Sequence, residues 1–202
     1  VNLLLLSNSR TPQGGYLGHA LEAISELVAG RDRIVFFPFA AVTTHWADYK
    51  EQVLAALRPL EMPVISAADL EPVTGSLRES DVIFIGGGNT FRLLAECRRR
   101  KWLDVIRTAV QQGTPYIGSS AGSVIACPSI HTTNDMPIVD PGGLGALGLV
   151  SFHLNCHFTD FTPPDHQGET RRQRISEFLT LHPDATVIGL PEGDWIRAQK
   201  DT

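Results

Sequence analysis

Cysteine is scarce. The chain has three, Cys97, Cys127 and Cys156, widely spaced and odd in number. That excludes a disulfide framework and fits a reducing compartment. Long hydrophobic runs are missing too: no window reaches the roughly 18 apolar residues of a membrane span. The apolar start, Val1 to Leu6, is too short for a signal peptide and has no charged leader. The expectation is a cytoplasmic protein with no membrane partner. Positive charge is in deficit, with 17 Lys and Arg against 22 Asp and Glu. A nucleic-acid binder ordinarily shows a basic field, so nucleic acid is not an expected partner. The one basic run, Arg98-Arg99-Arg100-Lys101, falls where a helix would end and its dipole turns negative. Repeats and low-complexity tracts are absent, and so is H-E-x-x-H. His153, Cys156 and His157 form H-x-x-C-H without a matching second half, so no metal is expected.

What is present suits a single domain over residues 1–202 with a full hydrophobic core. Short apolar runs predict strands at Asn2–Leu6, Arg33–Phe37, Pro63–Ile65, Val82–Ile85, Tyr116–Ile117 and Thr186–Leu190. Amphipathic spacing predicts helices at Gly18–Ala29, Trp46–Leu57, Thr90–Arg99, Trp102–Gln112 and Glu169–Leu181. Near-continuous apolar strands alternating with helices imply an α/β fold, a mostly parallel sheet with helices on both faces. Such sheets bind ligands at the carboxyl ends of their strands. Ser7-Asn8-Ser9, Pro38-Phe39-Ala40, Gly86-Gly87-Gly88-Asn89-Thr90 and Pro191-Glu192-Gly193 all follow predicted strands. Residues 128–164 are rich in Pro, Gly, Thr and Asp and read as long site loops with one or two short strands.

Gly118-Ser119-Ser120-Ala121-Gly122 reads G-x-S-x-G between the apolar Pro115-Tyr116-Ile117 and Val124-Ile125-Ala126. A strand, a sharp turn and a helix in that order push a serine hydroxyl out of the sheet. Helix-start N–H groups and the positive dipole end then face a developing oxyanion. A serine nucleophile needs a base. Seven histidines compete: His19, His45, His131, His153, His157, His166 and His182. His19, His45 and His182 lie on or beside predicted helices and read as solvated surface. His157, in Leu154-Asn155-Cys156-His157-Phe158, is favoured, with His153 and His131 next. Glu192, at a strand tip, and Asp135, in a polar loop, both qualify as the acid that orients the base; position favours Glu192. The Gly86–Thr90 loop fails G-x-G-x-x-G at Phe91 and suits a second oxyanion donor better than a phosphate cradle. Arg171, Arg172 and Arg174 open a predicted helix, where the dipole disfavours cations, so they are either surface residues or aimed at an anion.

Several longer blocks are specific: Leu3–Ser9, Ile85–Phe91, Ser120-Ala121-Gly122, Thr132–Pro141, His157-Phe158-Thr159, Gly168–Arg171 and Val187–Gly193. Together, from Leu3 to about Ile196, they resemble the α-aspartyl dipeptidases of serine peptidase family S51. The resemblance implies a fold like class I glutamine amidotransferases, a flavodoxin-like three-layer sandwich. It implies a triad of Ser120, His157 and Glu192, whose chain order differs from that of ordinary α/β-hydrolases. It also implies oxyanion donors at Gly88 and Ala121, and Arg171 gripping an aspartyl side chain. The implied activity is hydrolysis of dipeptides with N-terminal aspartate through an acyl-enzyme, with tripeptides as a secondary class. Asn89, Asp135 and Glu169 are candidates for the substrate's free amino group. No metal or organic cofactor is implied, and the chain would act as a monomer or homodimer. Two features depart from the family pattern. The chain stops at Thr202, where further β structure is expected, which bears on edge pairing and dimer contacts. The elbow reads Gly-Ser-Ser instead of Gly-Trp-Ser, and a small residue at 119 is expected to widen the site. Two alternatives remain: a cyanophycinase-like peptidase for β-linked aspartyl-arginine, and a non-catalytic small-ligand binder. Arg171 speaks against the first, and the intact Ser120, His157 and Glu192 set against the second.

Overall fold

A computed structural model describes residues 1–12, 14–73, 75–165 and 167–199. His166, one of the candidate bases, lies outside the described residues. In chain order the elements are β1 (Asn2–Leu6), β2 (Arg10–Thr11), β3 (Gly15–Tyr16), α1 (Leu21–Val28), β4 (Arg33–Phe37), α2 (Trp46–Ala56), β5 (Val64–Ser66) and β6 (Asp81–Ile85). They continue with α3 (Thr90–Arg99), α4 (Trp102–Gln111), β7 (Tyr116–Ser119), α5 (Ala121–Ile125), β8 (His153–Phe158), α6 (Arg171–Leu181), β9 (Val187–Pro191) and β10 (Trp195–Gln199).

The central sheet has the order β10-β1-β7-β6-β4-β5. Strands β1, β7, β6, β4 and β5 are mutually parallel, and β10 alone runs antiparallel, against β1. The period-2 rule divides each strand between two cores. Leu3 and Leu5 join α3, α4 and α5 in one buried cluster. Leu4 and Leu6 join α1 and α2 in the other. Helices therefore cover both faces, as the near-continuous apolar strands require.

Two expectations are corrected. The apolar pattern places Thr186–Leu190 among the strands of one mostly parallel sheet. The observed strand, β9, pairs instead with β8 in a separate two-stranded parallel sheet. Gly18–Ala29 divides into a 3-10 turn at Gly18–Ala20 and α1. Beyond Glu192, the β1 edge is not left open: β10 pairs along all of Asn2–Leu6. Helix α3 ends at Arg99 as expected, and the basic run at its end has a further use. The Arg98 guanidinium donates to the carbonyls of Pro141, Gly143 and Gly145 at 2.6–2.7 Å, fastening the long loop to the helix. No helix among the described residues is long and apolar enough to cross a membrane.

Candidate active site

Ser120 sits at the β7–α5 junction with φ 50° and ψ −108°. A non-glycine residue there is strained, and the surroundings must impose it. Leu6 O anchors the turn, accepting the Ser120 N–H at 3.0 Å and the Ser123 hydroxyl at 2.7 Å. Gly122 lies so close to β6 that a Cβ would collide with Ile85 O. Its carbonyl also accepts the buried Tyr116 hydroxyl at 2.5 Å. The second glycine of G-x-S-x-G is thus a requirement of close approach.

Ser120 Oγ lies 2.8 Å from His157 Nε2, and His157 Nδ1 lies 2.8 Å from Glu192 Oε1. His157 sits at an irregularity in the β8–β9 ladder, between Cys156 and Phe158, with φ 55°. Such a bulge re-aims one side chain out of the strand's alternation. Glu192 follows the end of β9. The carboxylate meeting His157 is therefore that of Glu192. Asp135 points elsewhere: its Oδ2 accepts the Thr90 N–H at 2.7 Å and the Thr90 hydroxyl at 2.6 Å.

Ser120, His157, Glu192, Gly88, Asn89 and Asp135 line one cleft of about 690 Å³. Gly88 has φ 138°, and a Cβ there would strike Ala40 O, so only glycine fits this approach. Ala121 opens α5, where backbone N–H groups have no intrahelical partner. Asn89 caps α3: its Oδ1 accepts from Arg92 N at 2.9 Å and its Nδ2 donates to Met136 O at 2.9 Å. Arg171 is not in this cleft. It lines a neighbouring cavity of about 190 Å³ with Arg174, Asn155 and Asp135, and Asp135 lines both spaces. Burial, and then the like charge of Arg174, lower the Arg171 pKa, so an anion there would relieve both. Glu169 is exposed and lines neither space.

His131 and His153 serve elsewhere. His153 Nε2 and His131 Nδ1 both contact Ser129 Oγ, at 3.0 and 2.6 Å, and neither reaches Ser120. His153, Cys156 and His157 turn to three different partners, Ser129, Ser120 O and Ser120 Oγ. The surface reading of His19 is corrected: both its ring nitrogens are buried, with no hydrogen-bond partner among the described residues. Ser119 does not shape the cleft either. It is fully buried as the last residue of β7 and is not among the residues that line the cleft.

The model of the family described as Peptidase family S51 matches residues 3–202. The chain belongs to peptidase family S51. Peptidase E of Citrobacter koseri is 50% identical over 200 residues, 99% of this chain and 87% of that one. Peptidase E of Shigella flexneri is 48% identical over the same extent. A Listeria monocytogenes EGD-e crystal structure, provisionally described as a peptidase E protein, superposes with a TM-score of 0.71 at 26% identity, covering 98% and 95% of the two chains. A peptidase from an acI-B1 Actinobacterium shares the fold, with a TM-score of 0.67 at 15% identity.

In this S51 peptidase two residues near the site carry work that sequence reasoning did not assign. Ser7 is fully buried; its Oγ accepts the His157 N–H at 2.9 Å and donates to Leu190 O at 2.8 Å. Asn8 Oδ1 accepts the Gly193 N–H at 2.8 Å. Together they tie β1 to the segments bearing His157 and Glu192. The signal was a pair of polar residues directly after the apolar run Leu3–Leu6.

Proposed function

We propose that this S51 peptidase is a serine exopeptidase that removes N-terminal aspartate from dipeptides, and secondarily from tripeptides. The observation that carries this reading is the continuous hydrogen-bonded line Ser120–His157–Glu192 at a cleft beside the Arg171 cavity. Ser120 Oγ attacks the scissile carbonyl carbon while His157 Nε2 takes its proton. Glu192 holds the imidazole tautomer and stabilises the cation. Gly88 and Ala121 N–H groups receive the oxyanion, each donor contributing roughly 3–4 kcal/mol in comparable sites. Collapse breaks the C–N bond, and His157 returns the proton to the leaving amine. Water, deprotonated by His157, then releases aspartate from Ser120.

Specificity follows from charge. Arg171 pairs with the β-carboxylate, and asparagine leaves that half-buried guanidinium without an anion. Asp135, lining both spaces, faces the substrate's α-ammonium, and Asn89 flanks it. Glu169 has no part in this arrangement. The three cysteines are all free and buried, which supports a reducing, cytoplasmic setting. The chain acts as a monomer or homodimer.

Hydrolysis of Asp-Leu beside Asn-Leu, Glu-Leu and Ala-Leu tests the reading, using wild type, Ser120→Ala and Arg171→Ala. The expected result is cleavage of Asp-Leu alone, lost in both variants. Cleavage of Ala-Leu as fast as Asp-Leu would remove the aspartate pocket, and survival of activity in Ser120→Ala would remove the nucleophile.

A further inference from the structure

The cleft holds more than the acyl half of a substrate. His157 must hand its proton to the leaving nitrogen, so the leaving residue lies on the side of Ser120 that His157 lines. His157 and Glu192 line the larger cleft and not the Arg171 cavity. Arg10 stands on the wall of that larger cleft, the one Lys or Arg among its described lining residues.

Arg10 is held by its backbone. It pairs with Tyr16 in the β2–β3 hairpin, and its carbonyl accepts Asn8 Nδ2 at 2.5 Å. Asn8 also accepts the Gly193 N–H, so the root of the hairpin is bonded to the turn that carries Glu192. The guanidinium carbon lies 5.1 Å from the centre of the Tyr16 ring. A cation over a ring face is held by the ring's quadrupole, and no hydrogen bond from the Arg10 guanidinium is made to the described residues. Among the described residues no carboxylate lies within ion-pair distance of Arg10. The two acids in the cleft are engaged, Glu192 with His157 and Asp135 with Thr90. A positioned cation therefore faces the space of the leaving group with its donors unspent.

We propose that Arg10 binds the α-carboxylate of the leaving amino acid. The inference rests on the serine exopeptidase reading and adds the leaving-group half of its specificity. A free C-terminus one residue beyond the scissile bond would be recognised directly, and a blocked or distant one would not.

The test compares kcat/KM for Asp-Leu, Asp-Leu amide and Asp-Glu amide in wild type, Arg10→Gln and Arg31→Gln. Arg31 is a remote charge control whose guanidinium donates to Glu79 O. One charge-assisted hydrogen-bonded pair predicts that wild type and Arg31→Gln favour Asp-Leu over its amide by roughly tenfold or more. In Arg10→Gln that ratio falls to about one, and inhibition by free leucine relative to leucinamide falls with it. A wild-type ratio retained in Arg10→Gln overturns the proposal. Asp-Glu amide matching Asp-Leu in wild type but not in Arg10→Gln also overturns it, by assigning Arg10 to a side-chain carboxylate. Asp-p-nitroanilide keeps the two readings apart. Its hydrolysis by wild type without discrimination between Asp-Leu and the amide sinks Arg10 alone. Folded wild type that cleaves neither anilide nor dipeptide sinks the serine peptidase reading and the proposal with it.

Discussion

At the scale of single residues, the site separates groups that react from groups that hold them. Ser120→Ala is expected to lower kcat by a factor on the order of 10⁴–10⁶ with little change in melting temperature, since it removes the nucleophile and no packing. Glu192 is 66% exposed and His157 39%, so water competes for the hydrogen bond between them. Glu192→Gln should therefore cost kcat roughly 10²–10⁴-fold, at or below the loss seen where the orienting acid is fully buried. Stopped assays on Asp-Leu measure both. Ser7 is different because it never meets substrate. Ser7→Ala leaves the His157 N–H and Leu190 O without their partner. It is expected to lower stability by about 1–3 kcal/mol in urea unfolding and to lower kcat more than it raises KM.

At the scale of elements, α6 and the start of β8 meet through a cluster of aromatic and imidazole rings. Phe178 on α6 packs against His131, His153 and His182 at centroid distances of 4.5–5.9 Å. Burial first, and the neighbouring imidazoles second, lower the pKa values of His153 and His131 below the ordinary 6.5. These rings are neutral in the folded state where the unfolded chain would already bind protons. Their contribution to stability is therefore complete above pH 6.5 and declines as pH falls below it toward the folded values. His153→Phe should flatten that decline, measured as melting temperature from about pH 7 to 5. The cluster was not legible in the sequence. His131, His153 and His182 sit on three segments, and nothing in their spacing says that one hydroxyl, Ser129, joins two of them.

At the scale of the whole molecule, Ser120 and the Gly88 loop occupy the carboxyl ends of the adjacent strands β7 and β6, beside that of β1, while His157 and Glu192 reach them from the separate β8–β9 pair. Helices after β1 and β4 cover one face and those after β6 and β7 the other, so the crest between them is left open as a cleft. Stability and catalysis are anchored at opposite ends of this sheet. At the amino end, Arg33 grips the fully buried Asp81 through two hydrogen bonds of 2.7 and 3.0 Å. Arg33→Ala leaves that carboxylate without its cation and is expected to cost about 3 kcal/mol, with kcat on Asp-Leu unchanged. Calorimetry beside the peptide assay distinguishes the two effects. The sequence by itself determined what local pattern can encode. Asn2–Leu6, Arg33–Phe37 and Thr90–Arg99 were legible to the residue, because an apolar run broken by a polar or proline residue, and helical spacing, are local patterns. The elbow at Ser120 was legible for the same reason, since a glycine-flanked serine between strand and helix is a local event. Only the tertiary structure decided which partners meet across separations of 35 to 150 residues. It set Glu192 rather than Asp135 on His157, bonded Ser7 to the His157 backbone, put β9 beside β8 outside the main sheet, and gave Arg171 a cavity of its own. Periodicity fixes which face of an element is buried, but the long-range pairing that brings these groups within 3 Å comes only from how the buried faces pack.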